Sequence, residues 1–202
     1  RDIFVTESLP LFPLHTQLLP QQRLDLQIFE PRYLQLVKDC LRADSPFGVV
    51  MIREGAEVVH TSADVPQVFG TGVSAKIVDW GTTNTSLLAV TIIGQAKFKL
   101  SRANVDASKL MSAEISWLPV EAIVDVPIHH AGLLALLQQL RQHPATARLQ
   151  LPDITDARHL GWQLSQLLPL PKSLKVDLLS MVDPLQRLDR LLALIEDLSE
   201  GR

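Results

Sequence analysis

The sequence predicts an α+β protein whose first part is β-rich and whose second part is helical. Two observations carry this. Up to Trp117 apolar residues recur at alternate positions, as in half-buried strands, and beyond Pro119 they recur at helical spacing. Pro119 and Pro127 bracket the change of period, and one early helix interrupts the β-rich part. The expected division is a β-rich subdomain over residues 1–122 and a helical subdomain over residues 123–202.

Leu9 to Leu14 is apolar but punctuated by Pro10 and Pro13. Proline cannot donate to a ladder, so this reads as an edge or bulged strand. Leu24, Leu26 and Ile28 alternate with Asp25 and Gln27, which predicts a half-buried strand. Pro31 then suits the first turn of a helix, where its missing N–H breaks no bond. Tyr33, Leu34, Val37, Cys40 and Leu41 fall on one face of that helix, so Cys40 is expected to be a buried thiol. Phe47 to Ile52 predicts a buried strand, Glu54-Gly55 a turn, and Val58-Val59 the start of a further strand. Gly70-Thr71-Gly72 opens a strand through Val73, Ala75 and Ile77, with Ser74 and Lys76 pointing to solvent. Gly81 to Ser86 forms a hairpin loop, and Leu87 to Ile93 returns as a central strand. Gly94 marks a bulge or bend. Ala96, Phe98 and Leu100 then alternate with Lys97 and Lys99, and Ala113, Ile115 and Trp117 form the last strand.

In the helical part, Ile128 to Gln142 is expected as a helix stopped by Pro144. Asp153 is expected to cap the next, supported by Asp156 and carrying Leu160, Leu164, Leu167 and Leu168. A short helix over Lys172 to Met181 follows Pro171. Asp183-Pro184 caps and opens a last helix through Leu185, Leu188, Leu192 and Ile195.

Composition narrows the function. The 202 residues are 47% hydrophobic and 20% charged, an ordinary balance for a folded chain. Such a length buries roughly 70% of the unfolded surface, so the core needs no staples. Cys40 is the single cysteine, so no internal disulfide forms and nothing points to an oxidising compartment; a cytoplasmic location is expected. A net charge of -3 argues against a general phosphate-binding surface, so a nucleic-acid partner is not expected. No apolar run approaches the roughly 18 residues of a membrane helix. The segment Arg1-Asp2-Ile3-Phe4 lacks the basic and apolar regions of a signal peptide, although the chain does not begin with methionine.

Signatures of chemistry are missing. Without a Gly-Lys dipeptide no phosphate loop can be built. One cysteine excludes a cysteine-rich zinc site. His129 and His130 are adjacent, and neighbours on a helix point about 100° apart, so no shared metal is expected and the pair reads as solvated or capping. Gly72-Val73-Ser74-Ala75 begins a nucleophile elbow, but Lys76 stands where glycine is needed. Ser74 and Lys76 share a strand face, yet alternation alone accounts for both. Glu30, at the start of the first helix, is expected to serve the helix terminus. No catalytic residue, metal ligand or cofactor is expected. Two aromatics remain open: Phe69, before a glycine strand start, and Trp80, at the mouth of a hairpin. Each either closes the core or anchors a partner.

Taken in order, LPLFPL (Leu9 to Leu14), IFEPRY (Ile28 to Tyr33), FGVV (Phe47 to Val50), Gly70-Thr71, IIGQAKF (Ile92 to Phe98), LLPLP (Leu167 to Pro171) and DPLQRL (Asp183 to Leu188) resemble a known family. They are similar to the N-terminal, substrate-binding domain of Lon proteases, over about Leu9 to Leu198, here in a stand-alone form without ATPase or protease modules. The resemblance implies a PUA-like β-barrel with an early inserted helix, followed by a helical subdomain. It implies binding of protein substrates rather than hydrolysis. The chain departs from the family at Pro20-Gln21-Gln22, where Pro-Gly is usual, and at Lys175-Val176, where Lys-Gln is usual.

The expected function is therefore a non-catalytic adaptor for unfolded or client polypeptides, acting with a protease or chaperone. Its groove is expected in the cleft between the two parts, with Phe69 and Trp80 as anchors. RNA binding is the alternative, because PUA-like folds serve RNA-modifying enzymes.

Overall fold

The computed structural model describes residues 7–61 and 64–200, so the N-terminal segment read above lies outside the described residues. The chain divides into two units, Arg1–Leu118 and Pro119–Arg202. Six strands and five helices make it an α+β protein among the described residues.

The first unit holds β1 (Glu7–Leu14), β2 (Arg23–Ile28), α1 (Pro31–Ala43), β3 (Phe47–Glu54), β4 (Gln67–Thr82), β5 (Leu88–Val105) and β6 (Met111–Trp117). The sheet order is β2-β5-β4-β3-β1-β6, and β6 also pairs with β5, so the pairings β5–β4–β3–β1–β6 close into a circuit. β5 makes this possible by its length. Leu88–Ile93 pairs with β2, and beyond the Gly94 irregularity Phe98–Val105 pairs with β6. The two segments expected on either side of Gly94 are thus one strand.

β1 is not an edge strand. Its residues Glu7–Pro10 pair with β6, and Leu11–Leu14 pair in parallel with β3. Each half has a ladder on one side only, which leaves a side where the missing N–H of Pro10 or Pro13 breaks no bond. The parallel β1–β3 pair requires a crossover connection, and the chain supplies it with β2 and α1. In α1, Tyr33, Leu36, Val37 and Cys40 are buried, whereas Leu41 is 42% exposed and lies off the apolar stripe. No strand forms at Val58-Val59; that stretch is loop, with Val59 buried. The core packs Leu9, Leu11, Val50, Phe98, Met111, Ala113 and Ile115 together.

Alternation misplaces two polar residues. Ser74 and Lys97 are both buried, at 2% and 5% exposure. The β4–β5 register shifts between Val73 and Ala75, where Val73 faces Lys97 but Ala75 faces Gly94. The one extra residue on β5 flips the side-chain parity of that strand. Gly94 is required there, because a Cβ would collide with the Leu19 carbonyl oxygen. Its N–H donates to Gln22 O at 2.9 Å and its carbonyl accepts from Gln21 N at 2.8 Å.

The second unit holds a 3-10 turn (Ile128–His130), α2 (Ala131–Arg141), α3 (Ala157–Leu167), α4 (Lys172–Ser180) and α5 (Pro184–Glu200). The first helix therefore begins as a tighter turn than expected. Asp156, not Asp153, caps α3, its side chain accepting from Arg158 N at 2.9 Å. Asp183 caps α5 as the Asp-Pro pair predicts, accepting from Leu185 N at 2.9 Å. Leu133, Leu137, Leu160, Leu164, Leu178, Leu188 and Leu191 build its core. A fully buried Arg187 crosses that core to Glu121, with Nη1–Oε2 at 2.8 Å and Nη2–Oε1 at 2.6 Å. Among the described residues no helix is long and apolar enough to cross a membrane.

Candidate functional site

The IFEPRY segment turns β2 into α1. Glu30 makes no side-chain bond to the helix terminus; its carboxylate accepts from Arg32 Nε at 3.0 Å. Arg32 is buried and spends its other nitrogens on two distant loops, with Nη1 to Lys109 O at 2.9 Å and Nη2 to Glu57 O at 3.0 Å. The Arg32 guanidinium also lies 4.3 Å from the centroid of the Tyr33 ring, and that ring stacks on Phe12 at 4.0 Å. Glu30 thus orients an arginine that pins the loops around Tyr33.

This framework encloses a hollow of about 180 Å³ lined by Phe12, Leu26, Phe29, Glu30, Tyr33 and Val58, among others. Tyr33 is 5% exposed, and its hydroxyl has no hydrogen-bond partner. Burial pushes the phenol well above its ordinary value, so it stays protonated and can donate. Phe29 is 55% exposed at the same hollow, which sequence reading passed over. Its place between an alternating strand and a helix-opening proline is the signal that could have found it.

A second hollow, of about 410 Å³, lies across β2, β4 and β5 and is lined by Asp25, Leu26, Gln27, Asp79, Trp80 and Val90, among others. Trp80 stands opposite Val90 in the β4–β5 ladder and is 63% exposed, so it does not close the core. Asp25, Leu26 and Gln27 of β2 line both hollows. β2 ends the sheet, paired only with β5, so its other edge carries no ladder among the described residues. Phe69 is half-buried near the start of β4, lines neither hollow, and is not brought to Trp80, which sits near the other end of that strand.

Ser74 and Lys76 are committed elsewhere. Ser74 Oγ donates to Ala96 O at 3.2 Å and accepts from Ala96 N at 3.1 Å, while Lys76 Nζ pairs with Asp44 at 3.0 Å. Buried Cys40 has its thiol pushed up by burial, which suits a packing role. In the helical unit His129 and His130 do not diverge as expected. Their ring centroids lie 4.1 Å apart; His129 is exposed as expected, whereas buried His130 sits at the N-cap position of α2 but turns its side chain to Asp189, at 2.8 Å through Nε2, and caps nothing with it.

Comparison with known proteins places the chain. It matches the family model of the ATP-dependent protease La (LON) substrate-binding domain over residues 8–197. Among solved structures it is similar to a Lon N-terminal domain protein from Xanthomonas campestris, with 34% identity and a TM-score of 0.73 over 93% of this chain and 98% of that one. Its fold is also similar to the N-terminal domain of Mycobacterium avium complex Lon protease, with 19% identity and a TM-score of 0.58 over 93% and 97% of the two chains. No curated protein matches. With almost its whole length inside one family model, the chain belongs to the Lon substrate-binding domain family.

Proposed function

We propose that this chain binds extended, apolar polypeptide segments along the open edge of β2, and that it performs no chemistry itself. The observation that carries this is the unpaired β2 edge running between two hollows, one with the partnerless Tyr33 hydroxyl and the other with exposed Trp80. An unfolded segment offers free backbone groups and apolar side chains. Strand addition satisfies the first, and Leu26, Phe29 and Trp80 receive the second. The family description and the Xanthomonas campestris neighbour support a substrate-binding role.

In this reading binding belongs to the β-rich part, 1–122, and the helical part, 123–202, takes no part in it. The closed circuit of pairings supports naming the first unit a PUA-like barrel. The chain then serves as a cytoplasmic adaptor that presents unfolded clients to a protease or chaperone. The RNA alternative suits the site poorly: Asp25, Glu30, Glu57 and Asp79 line the hollows, and no lysine or arginine does. Carboxylates there favour clients with basic residues beside their apolar ones. Phe69 would be reached only by a segment long enough to follow β4.

The test compares binding of a fluorescent unfolded polypeptide by the wild type and by variants shown to be folded by circular dichroism. Trp80→Ala should weaken binding about tenfold, the scale of a 1.4 kcal/mol contact. Tyr33→Phe should keep or slightly raise stability, since it deletes a buried unsatisfied group, yet weaken binding. Tyr33→Ala is the wrong probe, because losing a stacked, buried ring should cost about 3 kcal/mol. Amide exchange across Arg23–Ile28 should slow on binding. Unchanged affinity in both binding variants, with no protection of β2, would rule out this site. ATP-dependent casein cleavage that co-purifies with the chain would refute the non-catalytic reading.

A further inference from the structure

The polypeptide site leaves one chemically distinctive cluster unused, in the helical unit. His129 and His130 occupy the 3-10 turn before α2, and Asp189 lies on α5. One ligand atom from each of the three lies within 4.8 Å of the other two. His130 is 1% exposed and fixed by its 2.8 Å contact with Asp189 through Nε2, while its buried Nδ1 has no hydrogen-bond partner. A buried imidazole with one nitrogen held by a carboxylate and the other unsatisfied is costly unless something takes it up.

We propose that His129 and His130 bind a divalent transition-metal ion of the zinc class, with Asp189 orienting the His130 ring. Imidazole nitrogens are donors such ions prefer, whereas calcium and magnesium require mostly oxygen. His130 supplies the preorganised ligand. Because Asp189 already holds Nε2, the ion takes the unsatisfied Nδ1 and the carboxylate orients the ring, a role carboxylates play at histidine-bound metals. At metal–ligand distances of about 2.0–2.1 Å, tetrahedral ligands stand about 3.3 Å apart. The cluster must therefore close by a modest amount. His129 is exposed, so its ring is free to rotate inward. Water completes the shell. The bound ion would tie the turn that opens α2 to α5 and stabilise the helical unit by mass action.

The arrangement contrasts with the other buried histidine cluster. There His159 Nδ1 lies 2.8 Å from Thr155 Oγ1, and Asp156 is taken by Arg158 through its guanidinium and backbone N–H. No donor is left over for an ion.

The test titrates Zn²⁺ alone into the tag-free full chain by calorimetry, with Mg²⁺ and Ca²⁺ as controls and Co²⁺ for its visible absorption. One zinc should bind per chain and raise the thermal midpoint, with no uptake of Mg²⁺ or Ca²⁺. His129→Ala and Asp189→Ala replace exposed side chains, so both should fold, and each should weaken zinc binding about tenfold or more. His60→Ala, at an exposed histidine in the other unit, should change nothing. No stoichiometric zinc uptake, unchanged affinity in His129→Ala and Asp189→Ala, or an equal loss in His60→Ala would each overturn the proposal. None of these outcomes bears on polypeptide binding at β2.

Discussion

The two units treat their buried polar groups differently. In the helical unit Arg187 is 0% exposed and every guanidinium nitrogen is engaged: Nε to Leu178 O at 2.8 Å, Nη1 to Glu121, and Nη2 to Glu121 and Met181 O. Glu121 also accepts from Trp162 Nε1 at 3.1 Å. In the β-rich unit the Tyr33 hydroxyl is buried without a partner, a strand edge is open and a tryptophan stands in solvent. A group fully paired within the fold has nothing left for a ligand, whereas an unpaired one carries a standing cost that a ligand can relieve. His130, with its buried unsatisfied Nδ1, is an exception in the helical unit, and it is where an ion is proposed.

The largest expected effect tests the closed side of that comparison. Arg187→Ala leaves Glu121 charged and buried without its partner, which should cost about 4 kcal/mol in urea unfolding. Replacing both charges, Arg187→Met with Glu121→Leu, should restore much of the loss, since a buried pair repays its desolvation poorly against apolar packing. Gly161 belongs to the same device: a Cβ there would come within 2.8 Å of Arg187 Cδ, so glycine inside α3 makes room for the arginine. If Arg187→Ala unfolds within about 1 kcal/mol of wild type, the network is not what holds this unit and the contrast fails.

Asp156 gives the next effect, and it depends on pH. Burial pushes its carboxyl up, but hydrogen bonds from Arg158 and Thr155 outweigh burial and hold it at about 2, below the ordinary 3.8. A carboxylate with a lowered folded pKa stabilises the fold above the unfolded value, and that contribution is lost as pH falls through the folded one. Burial lowers His159 as well, so it acts with the same sign, destabilising as acid forces a proton onto it. Wild-type stability should therefore fall on acidification, first below about pH 6.5 from His159 and then below about pH 4, by about 2 kcal/mol, from Asp156. Asp156→Asn should lose a similar amount at neutral pH and show a flatter acid limb. Urea midpoints measured across the pH series check both, and an unchanged acid limb in the variant would assign the loss elsewhere.

Period and punctuation located the elements but not their environments. The alternation at Leu24, Leu26 and Ile28 and at Ala113 and Ile115, the helical face with Tyr33 and Cys40, and the Asp183-Pro184 start are all local patterns, and all match the structure. Lys97 failed because parity on β5 survives only until the bulge, and the sequence does not say on which strand the extra residue lies; Ser74 failed because β4 is buried on both faces from Thr71 to Ala75. β1 read as an edge because two prolines normally exclude a strand from a sheet interior. Only the switch of partner at Leu11, a tertiary fact, explains how they are tolerated. Trp80 was legible as a candidate but its exposure was not. The Tyr33 hydroxyl and the His130–Asp189 contact were illegible, because each depends on what lies far away in the chain; the latter spans 59 positions.

The smallest effect concerns a turn beside that bulge. Gln22 N donates to Leu19 O at 3.2 Å, closing a turn with Pro20 second and Gln21 third. Gln21 has φ 64. Proline followed by a residue of positive φ is the pattern of a type II turn, whose third position favours glycine. Gln21 stands where the resemblance read from the sequence leads one to expect the glycine of a Pro-Gly pair. A side chain in the left-handed region costs about 1–2 kcal/mol, but glycine loses about 0.5–1 kcal/mol more backbone entropy on folding. Gln21→Gly should therefore raise stability by at most about 1 kcal/mol, seen as a higher urea midpoint at unchanged slope. The ladder it supports is fixed by Gly94, whose bonds to Gln21 and Gln22 are backbone only and survive the substitution. Polypeptide affinity should stay the same, because Gln21 lines neither hollow. A lower midpoint would mean that the Gln21 side chain contributes more than its backbone strain removes, and a change in affinity would extend the β2 site back into this turn.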